Sequence, residues 1–160
     1  MINFFLKTVL GKSLITLFVS MVPIIELRGA IPIATGLGLE PWIAIPIAMV
    51  GNLIPIPFII IFIKKIFAWM RKVSPKLNKV VDKMEAKAEK NKERVLKYAF
   101  WGLALFVAIP LPGTGGWTGA LVAAMLDMPI KKAFPSIVIG VVGAGIIISF
   151  VSYGAAALFF

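Results

Sequence analysis

The chain has 160 residues, 60% of them hydrophobic and 15% charged, with a formal net charge of +10 and neither cysteine nor histidine. A soluble domain is about half apolar and about a quarter charged, so this composition and a mean hydropathy of +0.99 point to an integral membrane protein. Disulfides, thiol chemistry, Cys/His zinc sites and imidazole acid–base catalysis are excluded, and no cofactor is expected.

Lys7 and Lys12 precede the first apolar run much as in a signal peptide. No small-residue cleavage site follows and Pro23, Glu26 and Arg28 come next, so the segment reads as retained. The run itself, residues 14–39, is long for one span and short for two, since each span needs about 20 residues. Pro23, Gly29 and Pro32 interrupt its middle, which predicts a broken helix turning back as a re-entrant hairpin.

The second stretch, residues 41–63, is uncharged and long enough to cross, with bends expected at Pro46, Pro55 and Pro57. Residues 64–97 then hold 12 of the 17 basic and 4 of the 7 acidic residues. Ser74-Pro75 is a helix start. Leu77, Val80, Val81, Met84 and Ala88 recur at helical spacing, and Glu93 and Lys97 sit four apart. The expected element is an amphipathic cationic helix, either lying on the anionic inner leaflet, packing on a second copy, or serving as a solvated connector. Basic segments between apolar runs are the positive-inside signal. This places the protein in the cell membrane, multi-pass, with 64–97 cytoplasmic, and argues against nucleic acid as the partner.

The third stretch, residues 98–126, is uncharged and interrupted by Pro110-Leu111-Pro112-Gly113-Thr114-Gly115-Gly116. The fourth, residues 133–160, is of spanning length, with Gly140, Gly143 and Gly145 as a close-packing face. Trp42, Trp69 and Trp101, near span ends, read as interfacial anchors.

The halves echo each other at an offset of 88. Leu17-Phe18-Val19 matches Leu105-Phe106-Val107, Pro41 matches Pro129, and Ile59-Ile60 matches Ile147-Ile148. If the broken segments are re-entrant, each half crosses once and the halves are inverted, with Lys131 and Lys132 inside and Lys7 and Lys12 outside. If they cross fully, the repeats are parallel and those lysine pairs exchange sides. Charge does not decide, and the Pro/Gly breaks favour the inverted arrangement. The expected fold is therefore all-α: an inverted repeat of re-entrant hairpin plus transmembrane helix, with the amphipathic helix between the repeats. It forms a single membrane domain over 1–160, divided into 1–63, 64–97 and 98–160.

Glu26-Leu27-Arg28 is the sharpest candidate. A charge at mid-bilayer costs about 2.5–3.5 kcal/mol on insertion scales, so both charges need partners or a task. Residues two apart on a helix do not face each other. They therefore either pair in a non-helical loop or reach separate partners. The functional reading makes Arg28 an anion or headgroup ligand and Glu26 a protonatable carboxylate or a cation site; the structural one is a buried pair fixing the loop, or charges near the interface. Gly29 and Pro32 belong to the same segment. The second candidate is Pro110, Pro112, Gly113, Thr114, Gly115, Gly116, Trp117 and Thr118. Here glycines admit close approach, the threonines offer hydroxyls and Trp117 an amphipathic ring. Glu40 and Asp127 stand before spans as helix-capping acids, with a pathway role for Asp127 as the sharper alternative.

Pro23-Ile24-Ile25-Glu26-Leu27-Arg28-Gly29-Ala30-Ile31-Pro32 and Ile109 through Ala120 resemble the motifs of the prokaryotic small multidrug export protein family, a distant relative of the DedA/VTT membrane protein superfamily. That resemblance implies two re-entrant hairpins, each packed by a spanning helix. It also implies movement of lipid-linked phosphates, with acidic residues in the first hairpin and arginines in the second. Glu26 matches; Phe106 through Gly119 contains no arginine. The leading expectation is a small secondary transporter of amphipathic molecules or lipid phosphates, proton-coupled through Glu26. It would work among membrane lipids as a homo-oligomer, a dimer by preference. The alternative is a scaffold or lipid organiser acting through the cationic helix. No nucleophile–base pair or metal cluster supports an enzyme.

Overall fold

The computed structural model describes residues 7–96, 100–111 and 113–159. The described residues are helical with turns and contain no strand. Pro112 and Lys97 lie outside them, as do the side chains of Ala88 and Glu93, so the expected Glu93–Lys97 pair does too. In chain order the helices are α1 (Val9–Met21), α2 (Glu26–Gly36), α3 (Pro41–Leu53), α4 (Ile56–Val73), α5 (Pro75–Leu96), α6 (Phe100–Ala108), α7 (Gly116–Met125) and α8 (Ile130–Phe159).

Thr8 caps α1, its hydroxyl accepting from the Gly11 N–H at 3.0 Å. The helix ends at an extended Val22, where Pro23 has no N–H to continue it. The break falls there alone. Gly29 and Pro32, expected to share in it, lie inside α2. Pro32 is exposed, so its ring and the carbonyl it leaves free turn away from the core. Pro41 opens α3 at a first-turn position, where its missing N–H costs nothing. Pro46 is carried within α3, whereas Ile54-Pro55 separates α3 from α4. Both residues of that joint keep right-handed helical dihedrals. The 33-residue segment Pro41–Val73 therefore runs as one bent rod.

Among the described residues, two helical segments are long and apolar enough to cross a membrane, Pro41–Val73 and Ile130–Ala155. They run antiparallel. Near one end the Tyr153 hydroxyl donates to Leu39 O at 2.9 Å; towards the other, Lys64 Nζ lies 2.6 Å from Asp127 Oδ1. The order helix, break, helix, turn, long helix occurs twice. In each half the first leg lies on that half's long helix, α1 on α3 and α6 on α8, while the second leg touches the long helices of both halves, α2 lying between α3 and α8 and α7 packing mainly on α4 and also on α8. A serine hydroxyl pins each first leg: Ser20 donates to Ala48 O in one half, and Ser136 to Phe100 O at 2.5 Å in the other. Gly140 and Gly143 let α8 approach α6. A Cβ at Gly140 would meet Ala104 O at 2.7 Å, and one at Gly143 would meet Ala108 Cβ at 3.2 Å. Gly145, expected on the same face, instead faces Met49 of α3.

Ser74 starts α5 as its sequence predicts, accepting from the Lys76 N–H at 3.3 Å. The helix then folds back over the protein. Val81 is fully buried and Met84 packs on the core, while Val80 of the expected stripe is 46% exposed. The apolar face of α5 is thus used against α4, α6 and α7 of its own chain, leaving Lys76, Lys79, Lys83 and Lys90 exposed.

Candidate functional site

The two broken segments meet at their tips. Glu26, the first residue of α2, is 4% exposed and has a φ of +51°. A side chain in this left-handed region costs about 1–2 kcal/mol, and what holds Glu26 there is visible. Its Oε1 accepts the backbone N–H of Trp117 at 3.0 Å. Trp117 is the second residue of α7, so the carboxylate sits on a helix N-terminus, where orphan N–H groups and the macrodipole favour negative charge. Gly115 makes this approach possible. A Cβ there would collide with the Glu26 carboxylate, and its φ of +124° is a glycine conformation.

Arg28 goes the other way. Its guanidinium donates to Leu111 O at 2.5 Å, Ile109 O at 3.0 Å and the Thr114 hydroxyl at 2.8 Å, with Val107 O at 3.4 Å. These carbonyls lie at the C-terminal end of α6 and just beyond it, where cations complement the dipole. Thr114 Oγ1 lies 2.7 Å from Ile109 O and 2.8 Å from Leu111 O, closing the same turn. The two charges of Glu26-Leu27-Arg28 therefore reach separate partners: the anion holds the start of α7 and the cation the end of α6. Together they bridge the gap in the second hairpin. These bonds use much of the donor capacity of Arg28 that an anionic headgroup would need.

Of the other candidates, Thr114, Gly115, Gly116 and Trp117 gather at this junction. Thr118 is 9% exposed and lines, with Pro23, Ile24, Ile59, Trp117 and Leu121, a groove of about 200 Å³ beside it. Gly113 supplies a turn with a φ of +92°, and Pro110 lies in the same connection. Gly29 packs on Ile25. Asp127 stands apart, tied to Lys64 at the middle of α4. The expectation that Glu40 and Asp127 cap helices meets a different geometry. Glu40 is at the N-cap of α3 but makes no side-chain cap bond, and Asp127, with a φ of +54°, spends its carboxylate on Lys64.

Sequence reasoning missed Asn52. It is fully buried on α3, and neither amide atom has a hydrogen-bond partner in the protein. Such a burial costs about 1–3 kcal/mol. Its amide faces Gly116: a Cβ there would lie 3.1 Å from Nδ2 and 3.4 Å from Oδ1. The Trp117 indole N–H is also buried without a partner in the protein. The available signal was the lone amide in a 23-residue uncharged stretch. Among the described residues no group of histidine, cysteine, aspartate or glutamate could hold a metal ion.

No curated protein and no solved structure matches the chain. Residues 26–147 match the model of the family described as "Putative small multi-drug export protein". That match begins at Glu26 and takes in both hairpin tips and most of both long helices. With its two apolar helices of spanning length, the chain is a membrane protein that belongs to this small multidrug export family.

Proposed function

We propose that the protein is a small secondary exporter that exposes the junction of its hairpin tips alternately to the two sides of the membrane. The observation that carries this is the buried Glu26 carboxylate on the first turn of a broken helix, beside an apolar groove. Half-helices ending at a mid-membrane site are a recurring transporter arrangement.

The inverted, re-entrant arrangement belongs to this reading. Legs α1, α2, α6 and α7 have 13, 11, 9 and 10 residues. They are about 14–20 Å long at 1.5 Å per residue, against a core of about 30 Å. The Lys64–Asp127 contact supports placing the α7–α8 turn, with Lys131 and Lys132, on the same side as the basic segment, which we assign to the cytoplasm. Gly116 lies beside Asn52, midway along the rod from Pro41 to Lys64, which supports a site at mid-bilayer.

Of the two cargo classes, amphipathic small molecules fit better than lipid phosphates, because Arg28 is engaged with carbonyls and Thr114. A groove of about 200 Å³ is smaller than the 300–1,000 Å³ of drug-sized sites, so cargo entry requires the tips to part. Glu26 is the proton-coupling group, and no enzymatic step is assigned. The cationic face of α5 rests on anionic lipid, and the working unit is a homodimer.

In proteoliposomes loaded with fluorescent amphipathic dyes, Glu26→Gln keeps an acceptor for the Trp117 N–H. It is expected to fold normally and lose proton-driven efflux. Wild-type efflux in that variant overturns the assignment. If neutralising Lys76, Lys79 and Lys83 abolishes function while Glu26→Gln does not, the protein organises lipid through α5 instead.

A further inference from the structure

The strongest feature the transport reading leaves unused is Asn52. An amide with two donors and an acceptor, fully buried and without a partner in the protein, is rare unless something else completes it. What it faces is specific. Gly116 is the first residue of the ten-residue α7, and its lack of a Cβ lets the helix start come close to the amide. The start of α7 is a region of orphan N–H groups. Its next residue already gives its N–H to Glu26 and carries a second unpartnered donor, the Trp117 indole. The glycine pair 115–116 thus has the Glu26 carboxylate on one side and the Asn52 amide on the other.

The chemistry selects the occupant. An anion is disfavoured, because Glu26 already supplies negative charge at this helix end. An apolar group would leave the amide bare. A neutral oxygen that both donates and accepts satisfies every group, and buried water typically makes about three such bonds. We propose that Asn52 and the first turn of α7 form an internal water-binding site, and that this water is the route by which protons reach Glu26. Asn52 is then a positioning residue, acting on Glu26 through the water it holds.

The inference rests on Glu26 being the coupling carboxylate, and its test is kept separate from transport. Water-edited solid-state NMR on isotope-labelled protein in lipid bilayers, with no cargo present, reads magnetisation passing from water to individual sites. Transfer to Asn52 Nδ2 and Trp117 Nε1 is expected to match that of the exposed Glu40. Ala48 and Ile56, both fully buried, should lag several-fold. An Asn52 signal as slow as Ile56 overturns the site. Asn52→Leu, which removes the unpaired amide at similar volume, and Gly116→Ala, which sets a methyl 3.1 Å from Asn52 Nδ2, should each cut transfer to the Glu26 carboxyl carbon several-fold. Should one variant fail to fold, the other decides. Undiminished transfer to Glu26 in a folded variant overturns the route. A dry Asn52 in an active exporter rejects this inference alone, whereas a wet Asn52 in an inactive protein rejects the transport reading alone.

Discussion

Arg28 is the residue on which the second hairpin most visibly depends. Its fork reaches three carbonyls and a hydroxyl across at least 79 positions of sequence, and only a planar guanidinium has donors in that array. Arg28→Ala should therefore lower stability by about 2 kcal/mol, because the charge-assisted bonds that tie α2 to the end of α6 are lost. Arg28→Lys should recover only part of it. Thermal unfolding in detergent, monitored by circular dichroism, checks both; equal midpoints for Lys and wild type would contradict the fork. Gly115→Ala tests the other contact. The backbone alone should cost about 1–3 kcal/mol at its φ of +124°, and the new methyl would strike the Glu26 carboxylate. The variant should give a sharply reduced yield of monodisperse protein on size-exclusion chromatography. At this scale the sequence was informative where charge was concerned. Two charges two apart in an apolar run had either to pair within a loop or to reach separate partners, and they reach separate partners. It was silent on Asn52, because one amide in an uncharged stretch looks the same whether or not a partner waits for it.

The helices show where pattern and context part. Pro110 through Gly116 had to interrupt the third stretch, since it combines prolines without donors with glycines free of side-chain restraint, and α6 and α7 stop at its edges. Pro32 and Pro46 carried the same signal yet lie within helices, because a proline ends a helix only where nothing tolerates the bond it removes. The fate of α5 was equally hidden: its stripe predicts a docked face without saying what it docks on. Arg71 helps decide. It contacts Asp82 at 2.9 Å, Glu85 at 2.6 Å and Asn78 at 2.7 Å, drawing α5 back along α4 past the joint at Ser74. Exposed ion pairs contribute about 0.2–1 kcal/mol each, so Arg71→Ala should loosen α5 without unfolding the membrane core. Spin labels on single cysteines in α4 and α5 should then report a broadened distance distribution by pulsed EPR. An unchanged distribution would assign the docking to Val81 and Met84 alone.

For the whole molecule, the echo at an offset of 88 residues was legible, and the structure gives it a consequence. The second leg of each hairpin packs on the long helix of the other half as well as on its own, so the two halves share one core. The direction of the halves was not legible from charge, because either topology left two lysines on the disfavoured side. The proposed inverted topology predicts the accessibility of single cysteines, in a chain that has none of its own. Leu10→Cys and Glu40→Cys should react with a membrane-impermeant maleimide from outside intact cells. Lys132→Cys should react only after permeabilisation. If Leu10→Cys and Lys132→Cys exchange behaviour, the broken segments span and the repeats are parallel.

The long reach of the tip contacts also bears on biosynthesis. The partner of Glu26 lies 91 positions downstream and that of Arg28 as many as 86. Until Thr114 and Trp117 have left the ribosome, the first hairpin carries an anion and a cation that this junction cannot yet neutralise. The hairpin made first is thus the one whose tip contacts are completed last. Truncation before residue 114 should leave a nascent chain whose first hairpin cannot settle in lipid, so a quality-control protease would meet it as an unfinished protein and not as a smaller one.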